Sequence, residues 1–323
     1  MSEPQISVVL VTDHFRTIRR VVARLREQTV RERVELVIAG PSRAALEIED
    51  GALDGFAAVR VVETGSIHPM AGARAAGVRA ASAPVLFLGE THSFAHPEFA
   101  ESLIRAHQGP DEVVVPGLGN ANPESALSWA GFLMDYGPWA YVLPAGDIGW
   151  GPTWNVAYKR NALLAFDESL ETMLCAGDAM ASAFRASGHR YRLEPAARLD
   201  HANVTGLRSW INERYLTGLL IASNRKARWP RSRRLLYIVA SPLIPAVVLS
   251  RMTRPVRLLW GAGALPRGTI PALLAAVVIR TIGEVVGYAV GAGATAEPRM
   301  EHYELHKLKY TVPSRDPRSA LPA

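Results

Sequence analysis

The first 200 residues alternate between two patterns of apolar and polar positions. Ile6–Val11 is a largely apolar, β-branched run, which is typical of a strand buried on both faces. The next apolar positions follow the spacing of an amphipathic helix: Ile18, Val21, Val22 and Leu25. Thr12 or Asp13 is expected to cap this helix, because short polar side chains can accept a hydrogen bond from the first free backbone N–H groups.

The same alternation continues to residue 115. Further strands are predicted at Val34–Ala39, Val59–Val62, Val85–Leu88 and Glu112–Val115. Helices are predicted at Met70–Ala81 and Pro97–Gln108. This order predicts an α/β fold with a mostly parallel sheet flanked by helices. Ligands of such sheets bind beyond the carboxyl ends of the strands, so the loops at those ends are the candidate site.

The segment from Pro116 to Pro152 is rich in glycine, proline and aromatic residues, and we expect long ordered loops over a pocket there. Regular structure is predicted to resume at Thr153–Arg160. A helix is expected at Asp178–Ser187, followed by an extended segment over Tyr191–Arg198.

After His201 the pattern becomes helical and hydrophobic. An amphipathic stripe runs from Leu207 to Ala222, and two apolar segments follow, Leu235–Leu249 and Ile270–Val290. Between the stripe and the first segment lies a basic cluster of Arg225, Lys226, Arg228, Arg231, Arg233 and Arg234. We therefore predict a first domain over 1–204, a membrane-associated helical region over 205–296 and a polar tail over 297–323.

Composition narrows the class of protein. The chain of 323 residues is 49% hydrophobic, carries a net charge of +6 and has one cysteine, Cys175. A single cysteine excludes an internal disulfide and a cysteine-built zinc site and predicts an intracellular protein. Cys175 itself is expected to be a small buried residue. The start of the chain lacks a basic segment and a long apolar run, so the first domain is expected on the cytoplasmic side.

The basic cluster and the residues after the first strand argue against two other classes, nucleic-acid-binding proteins and dinucleotide-binding enzymes. The basic cluster adjoins an apolar segment, which favours anionic membrane lipids over nucleic acid as the partner. A dinucleotide-binding fold needs a glycine-rich turn after its first strand, whereas this chain has Val11-Thr12-Asp13-His14 there.

Several motifs in order carry a family resemblance. They include the stretch Gly72–Gly77, the segment Phe87–His92, and a spaced series comprising Gly151, Asn155, Tyr158, Lys159, Arg160, Phe166, Asp167, Asp178, Gly188, Tyr191, Pro195 and His201. From about Ile6 to His201 the chain resembles a family 2 glycosyltransferase with a GT-A-type nucleotide-sugar-binding domain. The resemblance implies a nucleotide-sugar donor and transfer with inversion at the anomeric carbon.

The loop after the fourth predicted strand holds the candidate metal ligands Glu90 and His92, and His201 could complete the set. Glycosyl transfer expels a nucleoside diphosphate, whose charge needs a cation or fixed hydrogen-bond donors. Imidazole ligands favour Mn²⁺ over Mg²⁺. Gly89 and Thr91 stand where the family has two aspartates, so a solvated loop with a capping histidine remains an alternative.

The resemblance places the general base at Asp178, which would take the proton of the attacking acceptor hydroxyl. The family usually has a glutamate before this aspartate, and this chain has Gly177. The alternative for Asp178 is a helix N-cap without chemistry.

The predicted donor-binding residues are Thr12, Asp13, Arg74 and Asn155. Arg74 would contact the diphosphate or be an ordinary surface arginine. Asn155 would hold a sugar hydroxyl or a loop backbone. Aromatic residues between Trp129 and Trp154 suit stacking on a sugar or lipid, or act as core anchors.

Together these features predict an inverting glycosyltransferase at the cytoplasmic membrane face, with a lipid-linked or cell-envelope glycan as acceptor. The alternative is a non-catalytic sugar-nucleotide-binding or glycan-binding protein of the same fold. Two prolines in Leu235–Leu249, and Arg280 with Glu284 in Ile270–Val290, favour an interfacial or re-entrant attachment, with two spans as the other possibility.

Overall fold

The computed structural model describes residues 3–312, and contacts between Cα atoms divide the chain into two compact units. The first unit comprises the residues up to Gly119 together with Trp139–Asp200. The second comprises Asn120–Pro138 together with the residues from His201 onward. The division falls near the last residue of two strands of one sheet.

A sheet of nine strands runs through the first unit. Its strands are β1 (Ile6–Val11), β2 (Val34–Gly40), β3 (Ala58–Glu63), β4 (Val85–Leu88), β5 (Ser93–Ala95), β6 (Val113–Asn120), β7 (Gly146–Ile148), β8 (Val156–Lys159) and β9 (Tyr191–His201). The helices of this unit are α1 (Phe15–Arg26), α2 (Arg43–Leu46), α3 (Met70–Ala80), α4 (Phe99–Ala106), α6 (Arg160–Leu164), α7 (Leu170–Cys175) and α8 (Gly177–Ala186).

The strand order is β3-β2-β1-β4-β8-β6-β9-β5, with β7 paired to β9. Strands β3, β2, β1 and β4 are parallel, but β8 is antiparallel to both β4 and β6. The α/β class is confirmed, and the expectation of a mostly parallel sheet holds for one half only. Helices connect the parallel strands, as parallel pairing requires. The chain reaches β8 through the irregular segment 149–155, with no helix directly before the strand, and β8 runs antiparallel to its neighbours.

The apolar run at β1 is a strand buried at every position, as predicted. The expected cap of α1 is wrong. The N-cap is His14, whose Nδ1 accepts a hydrogen bond from the backbone N–H of Arg16 at 3.0 Å. Thr12 lies two residues before this N-cap, and its backbone N–H bonds to Ala39 O and continues the strand ladder.

The prediction of long loops over 116–152 is wrong. β6 extends to Asn120, β7 forms within the segment, and α5 (Ala126–Tyr136) occupies its middle. Nearly every position of α5 is buried, so its sequence is apolar on all sides and shows no helical alternation of polar and apolar residues. Ser125 caps α5 by accepting a hydrogen bond from the Ser128 N–H.

The second unit is helical. Besides α5 it contains α9 (Leu207–Arg228), α10 (Arg231–Val239), α11 (Ile244–Ser250), α12 (Thr253–Gly261), α13 (Thr269–Ala289) and α14 (Ala296–His306). Helix α13 packs along α9 so closely that a methyl group on Gly218 or Gly283 would overlap a carbonyl oxygen of the other helix. Close backbone approach through glycines is also common between membrane helices.

Helix α13 is long and apolar enough to cross a membrane, and α10 and the segment Ser241–Ser250 form a pair bent by 56°. The charged residues of α13 do not face outward. Glu284 is buried, lies 3.1 Å from Arg280 and 4.0 Å from Arg225 of α9, and so turns its carboxylate towards the neighbouring helix. The charges of Arg280 and Glu284 are therefore compensated within the second unit.

The predicted polar tail begins as α14 and a 3₁₀ turn, Lys307–Tyr310, and its remainder, 313–323, lies outside the described residues. The Lys307 ammonium is buried 3.2 Å from the Glu213 carboxylate of α9. Burial acts to raise the pKa of Glu213, but the charges of Lys307 and Arg214 outweigh it and lower that pKa to about 2. Arg214 also makes a bidentate ion pair with Asp135 of α5.

Candidate functional site

Three side chains with metal-ligand chemistry converge at the ends of strands. Glu90 and His92 lie between β4 and β5, and His201 is the last residue of β9, the neighbour of β5 in the sheet. One ligand atom of each lies within 4.8 Å of the others, and all three side chains are buried. His92 Nε2 is 3.5 Å from Glu90 Oε2.

The donor set fits a divalent cation. Ligand atoms that share an ion at about 2.1 Å lie about 3 to 4 Å apart, so a small inward movement of these side chains would let all three bind one ion, with its remaining positions open. One carboxylate oxygen and two imidazole nitrogens suit Mn²⁺ better than Mg²⁺, which prefers oxygen ligands. Glu90, His92 and His201 can therefore hold Mn²⁺ or a similar ion.

The Glu90 carboxylate is oriented by a buried amide. Asn155 Nδ2 donates to Glu90 Oε2 at 2.6 Å, and Ser93 Oγ donates to the same oxygen at 3.3 Å. Asn155 has a left-handed backbone with φ of 57°, a conformation that asparagine tolerates better than most residues, and its N–H donates to Leu88 O at 2.7 Å. Because Asn155 is fully buried, its side chain acts on Glu90 within the protein.

Gly89, which stands where the resemblance places an aspartate, is closely packed. A Cβ on Gly89 would lie 2.7 Å from Leu10 Cδ2 of β1. A side chain at this position would therefore require the Leu10 side chain to move. The polar side chains of this loop are Glu90, Thr91 and His92.

The segment Thr153–Asn155 touches the other predicted site elements. Trp154 lies under the guanidinium of Arg74, 3.6 Å from its ring centre, and Asn155 contacts Glu90. A side chain on Gly177 would overlap the Thr153 hydroxyl, so the glutamate that the resemblance places before Asp178 would require Thr153 to move.

Asp178 is an exposed residue in the first turn of α8, whose N-cap is Ala176. The alternative of Asp178 as the helix N-cap is therefore wrong. Cys175, at the end of α7, is exposed rather than buried as expected. Asp178 therefore lies at the surface of the first unit.

Thr12 and Asp13 follow β1, the parallel neighbour of β4, so they lie at the same edge of the sheet as Glu90. Thr12 is fully buried and donates its hydroxyl to His14 O at 2.9 Å. Asp13 Oδ1 accepts a hydrogen bond from Thr17 Oγ1 at 3.0 Å. Both side chains thus also organise the start of α1.

Sequence reasoning missed two residues of this site, Ser93 and Asn203, and it did not foresee that Trp154 stacks on Arg74. Asn203 Oδ1 lies 2.9 Å from Nδ1 of His201, and the ring of Tyr136 packs edge-on against the same imidazole at 4.7 Å. The only signal for Asn203 in the sequence is its position two residues after a histidine, a spacing too common to be informative.

The chain is similar to solved glycosyltransferase structures at low identity. One is the mannosyltransferase PcManGT from Pyrobaculum calidifontis in complex with GDP-Man and Mn²⁺, at 15% identity and a TM-score of 0.46, covering 95% of this chain and 88% of that one. Another is GalNAc-T7 with UDP, GalNAc and Mn²⁺, at 14% identity and a TM-score of 0.41, covering 62% of this chain and 44% of that one. No protein-family model and no curated protein matches the chain. Similarity at this level assigns no activity to the protein.

Proposed function

We propose that the protein is an inverting glycosyltransferase of the GT-A type, similar to family 2, that uses a nucleotide-sugar donor. The observation that carries the proposal is the convergence of Glu90, His92 and His201 at strand ends of the α/β sheet. A leaving diphosphate needs concentrated positive charge at such an edge. The order of sequence motifs from Ile6 to His201 supports the same class.

In this proposal the cluster would hold a divalent cation, with Asn155 and Ser93 setting the direction of the Glu90 carboxylate. A bound divalent cation supplies Lewis-acid stabilisation of the diphosphate charge. The guanidinium of Arg74 stacks on the ring of Trp154, and in this proposal it binds a diphosphate oxygen of the donor.

Asp178 would act as the general base. Its carboxylate takes the proton of the acceptor hydroxyl while that oxygen bonds to the anomeric carbon and the bond to the nucleoside diphosphate breaks, which inverts the configuration. Asp13 would bind the donor directly. Thr12 and Asn155 are buried, so they would contribute to donor binding through the neighbours they hold, His14 and Glu90.

For the acceptor we propose a lipid-linked or cell-envelope glycan, reached from the cytoplasmic face of a membrane. Leu235, Val239 and Val247 are 62%, 77% and 50% exposed on the bent pair of helices. Arg231 and Arg233 are exposed on the same α10 helix and would meet anionic headgroups. This arrangement suits an interfacial or re-entrant attachment, and two spans are the alternative, since Arg280 and Glu284 are paired against α9.

The second candidate function is non-catalytic binding of a sugar nucleotide or glycan at the membrane. The observations that favour it are Gly89, Thr91 and Gly177, which replace acidic residues of the catalytic family. A side chain at Gly89 or Gly177 would crowd the side chain of Leu10 or Thr153, so packing offers a reason for two of these changes that does not depend on catalysis.

The test is a thermal-shift series with a panel of nucleotide sugars, each with and without Mn²⁺, followed by transfer assays on lipid-linked acceptors. Binding raises the melting temperature by mass action, and we expect the rise to depend on Mn²⁺ and on one sugar. A Glu90→Gln variant should lose the Mn²⁺-dependent part. Donor binding without any transfer across the acceptor panel would favour the non-catalytic candidate.

A further inference from the structure

A network of buried amides surrounds the imidazole of His201. Asn203 Nδ2 donates to Asn120 Oδ1 and to the backbone oxygen of His201, both at 3.0 Å. Since both amide hydrogens of Asn203 are directed at acceptors, its Oδ1 is the atom that faces His201 Nδ1 at 2.9 Å. The Asn203 side chain is therefore an acceptor towards the ring.

Backbone groups fix the orientation of the other amides in the network. The backbone N–H of Asn203 donates to Asn122 Oδ1 at 2.9 Å, and Asn122 Nδ2 donates to Asn203 O at 2.8 Å. Asn120 Oδ1 accepts from the backbone N–H of Asn122 at 3.2 Å and lies 2.9 Å from Ser128 Oγ. Because backbone N–H groups only donate and backbone oxygens only accept, reversing any of these amides would break a hydrogen bond.

We propose that Asn203 is a positioning residue that holds His201 in the tautomer with a proton on Nδ1, leaving the lone pair on Nε2 for a divalent cation. An imidazole binds a metal through its unprotonated nitrogen, and the hydrogen bond of the other nitrogen decides which one that is. The inference rests on the metal site of the proposed function, and it adds the residue that makes His201 competent as a ligand.

The two histidines of the cluster differ in this respect. His92 Nδ1 lies 3.2 Å from Thr91 Oγ1, and a hydroxyl can donate or accept, so this contact does not select a tautomer. The amide oxygen of Asn203 can only accept. His201 and Asn203 are both almost fully buried, so bulk water cannot replace this contact.

The first experiment reads the tautomer without any metal. Long-range ¹H–¹⁵N spectra of the full-length protein at alkaline pH, with His201 assigned by comparison with His201→Gln, distinguish protonated from unprotonated ring nitrogens. We expect protonated Nδ1 and unprotonated Nε2 in the wild type, and a mixture or the opposite tautomer in Asn203→Ala. A wild-type ring protonated on Nε2, or an unchanged tautomer in Asn203→Ala, would overturn the proposal.

The second experiment measures Mn²⁺ affinity by electron paramagnetic resonance titration. Loss of a residue that orients a ligand typically weakens metal binding by about 10- to 100-fold, and we expect this for Asn203→Ala. Ser128→Ala is the matched control, because it disturbs the same amide network without removing the contact to His201. Equal Mn²⁺ affinity in Asn203→Ala and wild type would overturn the positioning role of Asn203 and would leave the metal site of the proposed function standing.

The two proposals fail in different ways. A wild-type protein that binds no Mn²⁺ contradicts the metal site, and with it the ligand role of Nε2. Should Asn203→Ala not fold, the wild-type spectrum remains a test on the intact protein: a ring protonated on Nδ1 supports the proposal, and a ring protonated on Nε2 overturns it.

Discussion

The Glu90 carboxylate is buried, and its direction depends on hydrogen bonds from Asn155 and Ser93 rather than on solvent. A carboxylate held in this way binds a cation with little further loss of side-chain freedom. The same side chain would be costly to bury if its charge had no partner. Asn155 and Ser93 therefore help to set the geometry of the candidate site.

If Glu90, His92 and His201 share one ion, their substitutions should not be additive. We expect alanine at any one position to weaken Mn²⁺ binding strongly, and a double alanine variant to bind scarcely worse than either single variant. His96→Ala is the control, since His96 pairs with Asp200 at 2.9 Å and is not among these three ligands. Small additive losses, with transfer that persists in excess chelator, would contradict a shared site.

Replacing Asp178 with Asn keeps the size of the side chain and removes its basicity. We expect the turnover number to fall by about 10²- to 10⁴-fold, while the thermal shift produced by the nucleotide sugar is retained. Asp147→Asn, a change of the same kind at an exposed position of β7, should leave turnover unchanged. Near-normal turnover of a folded Asp178→Asn protein would exclude Asp178 as the base.

The burial of His107 leads us to expect that the free energy of unfolding decreases in mild acid. Burial is the main cause that lowers its pKa from 6.5 to about 4. The unfolded chain therefore binds a proton that the folded chain excludes, so stability is complete above pH 6.5 and decreases as the pH falls towards 4. The full shift corresponds to about 3 kcal/mol.

Urea unfolding at pH 7.5 and pH 5 tests this expectation. His107→Asn retains a donor for the Leu103 oxygen, which lies 3.0 Å from Nδ1, and cannot titrate in this range. We expect the free energy of unfolding to fall less between the two pH values in this variant than in the wild type. Equal losses in both proteins would show that His107 is not the responsible group.

The pairing of α9 with α13 depends on small residues at the contact. A methyl group on Gly283 would overlap the Tyr215 carbonyl oxygen, so Gly283→Ala should lower the free energy of unfolding by about 1–3 kcal/mol. A methyl group on Gly261, in α12, would have no neighbouring atom within 4 Å, and Gly261→Ala should be neutral or gain up to about 1 kcal/mol. Thermal unfolding followed by circular dichroism measures both, and equal stability of the two variants would contradict the close helix pair.

Attachment of the whole molecule to a membrane is tested by thiol labelling of intact cells. Cys175 is exposed, so the background is Cys175→Ser, with single cysteines introduced at Ser250, Ala262 and Ala294. An interfacial or re-entrant arrangement keeps all three on the cytoplasmic side, and an impermeant reagent should label none until the cells are opened. Labelling at Ala262 but not at Ala294 would show two spans.

Local patterns were sufficient for three elements. α1 follows from the helical spacing of its apolar residues, and β1 and α13 follow from continuous apolar runs of strand length and of helix length. The positions of Glu90 and Asp13 at one edge of the sheet also follow, since both come after parallel strands. α5 could not be recognised because burial on all sides removes the periodic signal.

Contacts between distant parts of the chain required the three-dimensional structure. Asn155 meets Glu90 across 65 positions, and neither residue's neighbours in sequence indicate that contact. The pairing of Glu284 with α9 and the amides that orient His201 are of the same kind. Residue types and local spacing specify which chemistry is available, whereas packing of strands and helices far apart in sequence decides which side chains meet and which way each one faces.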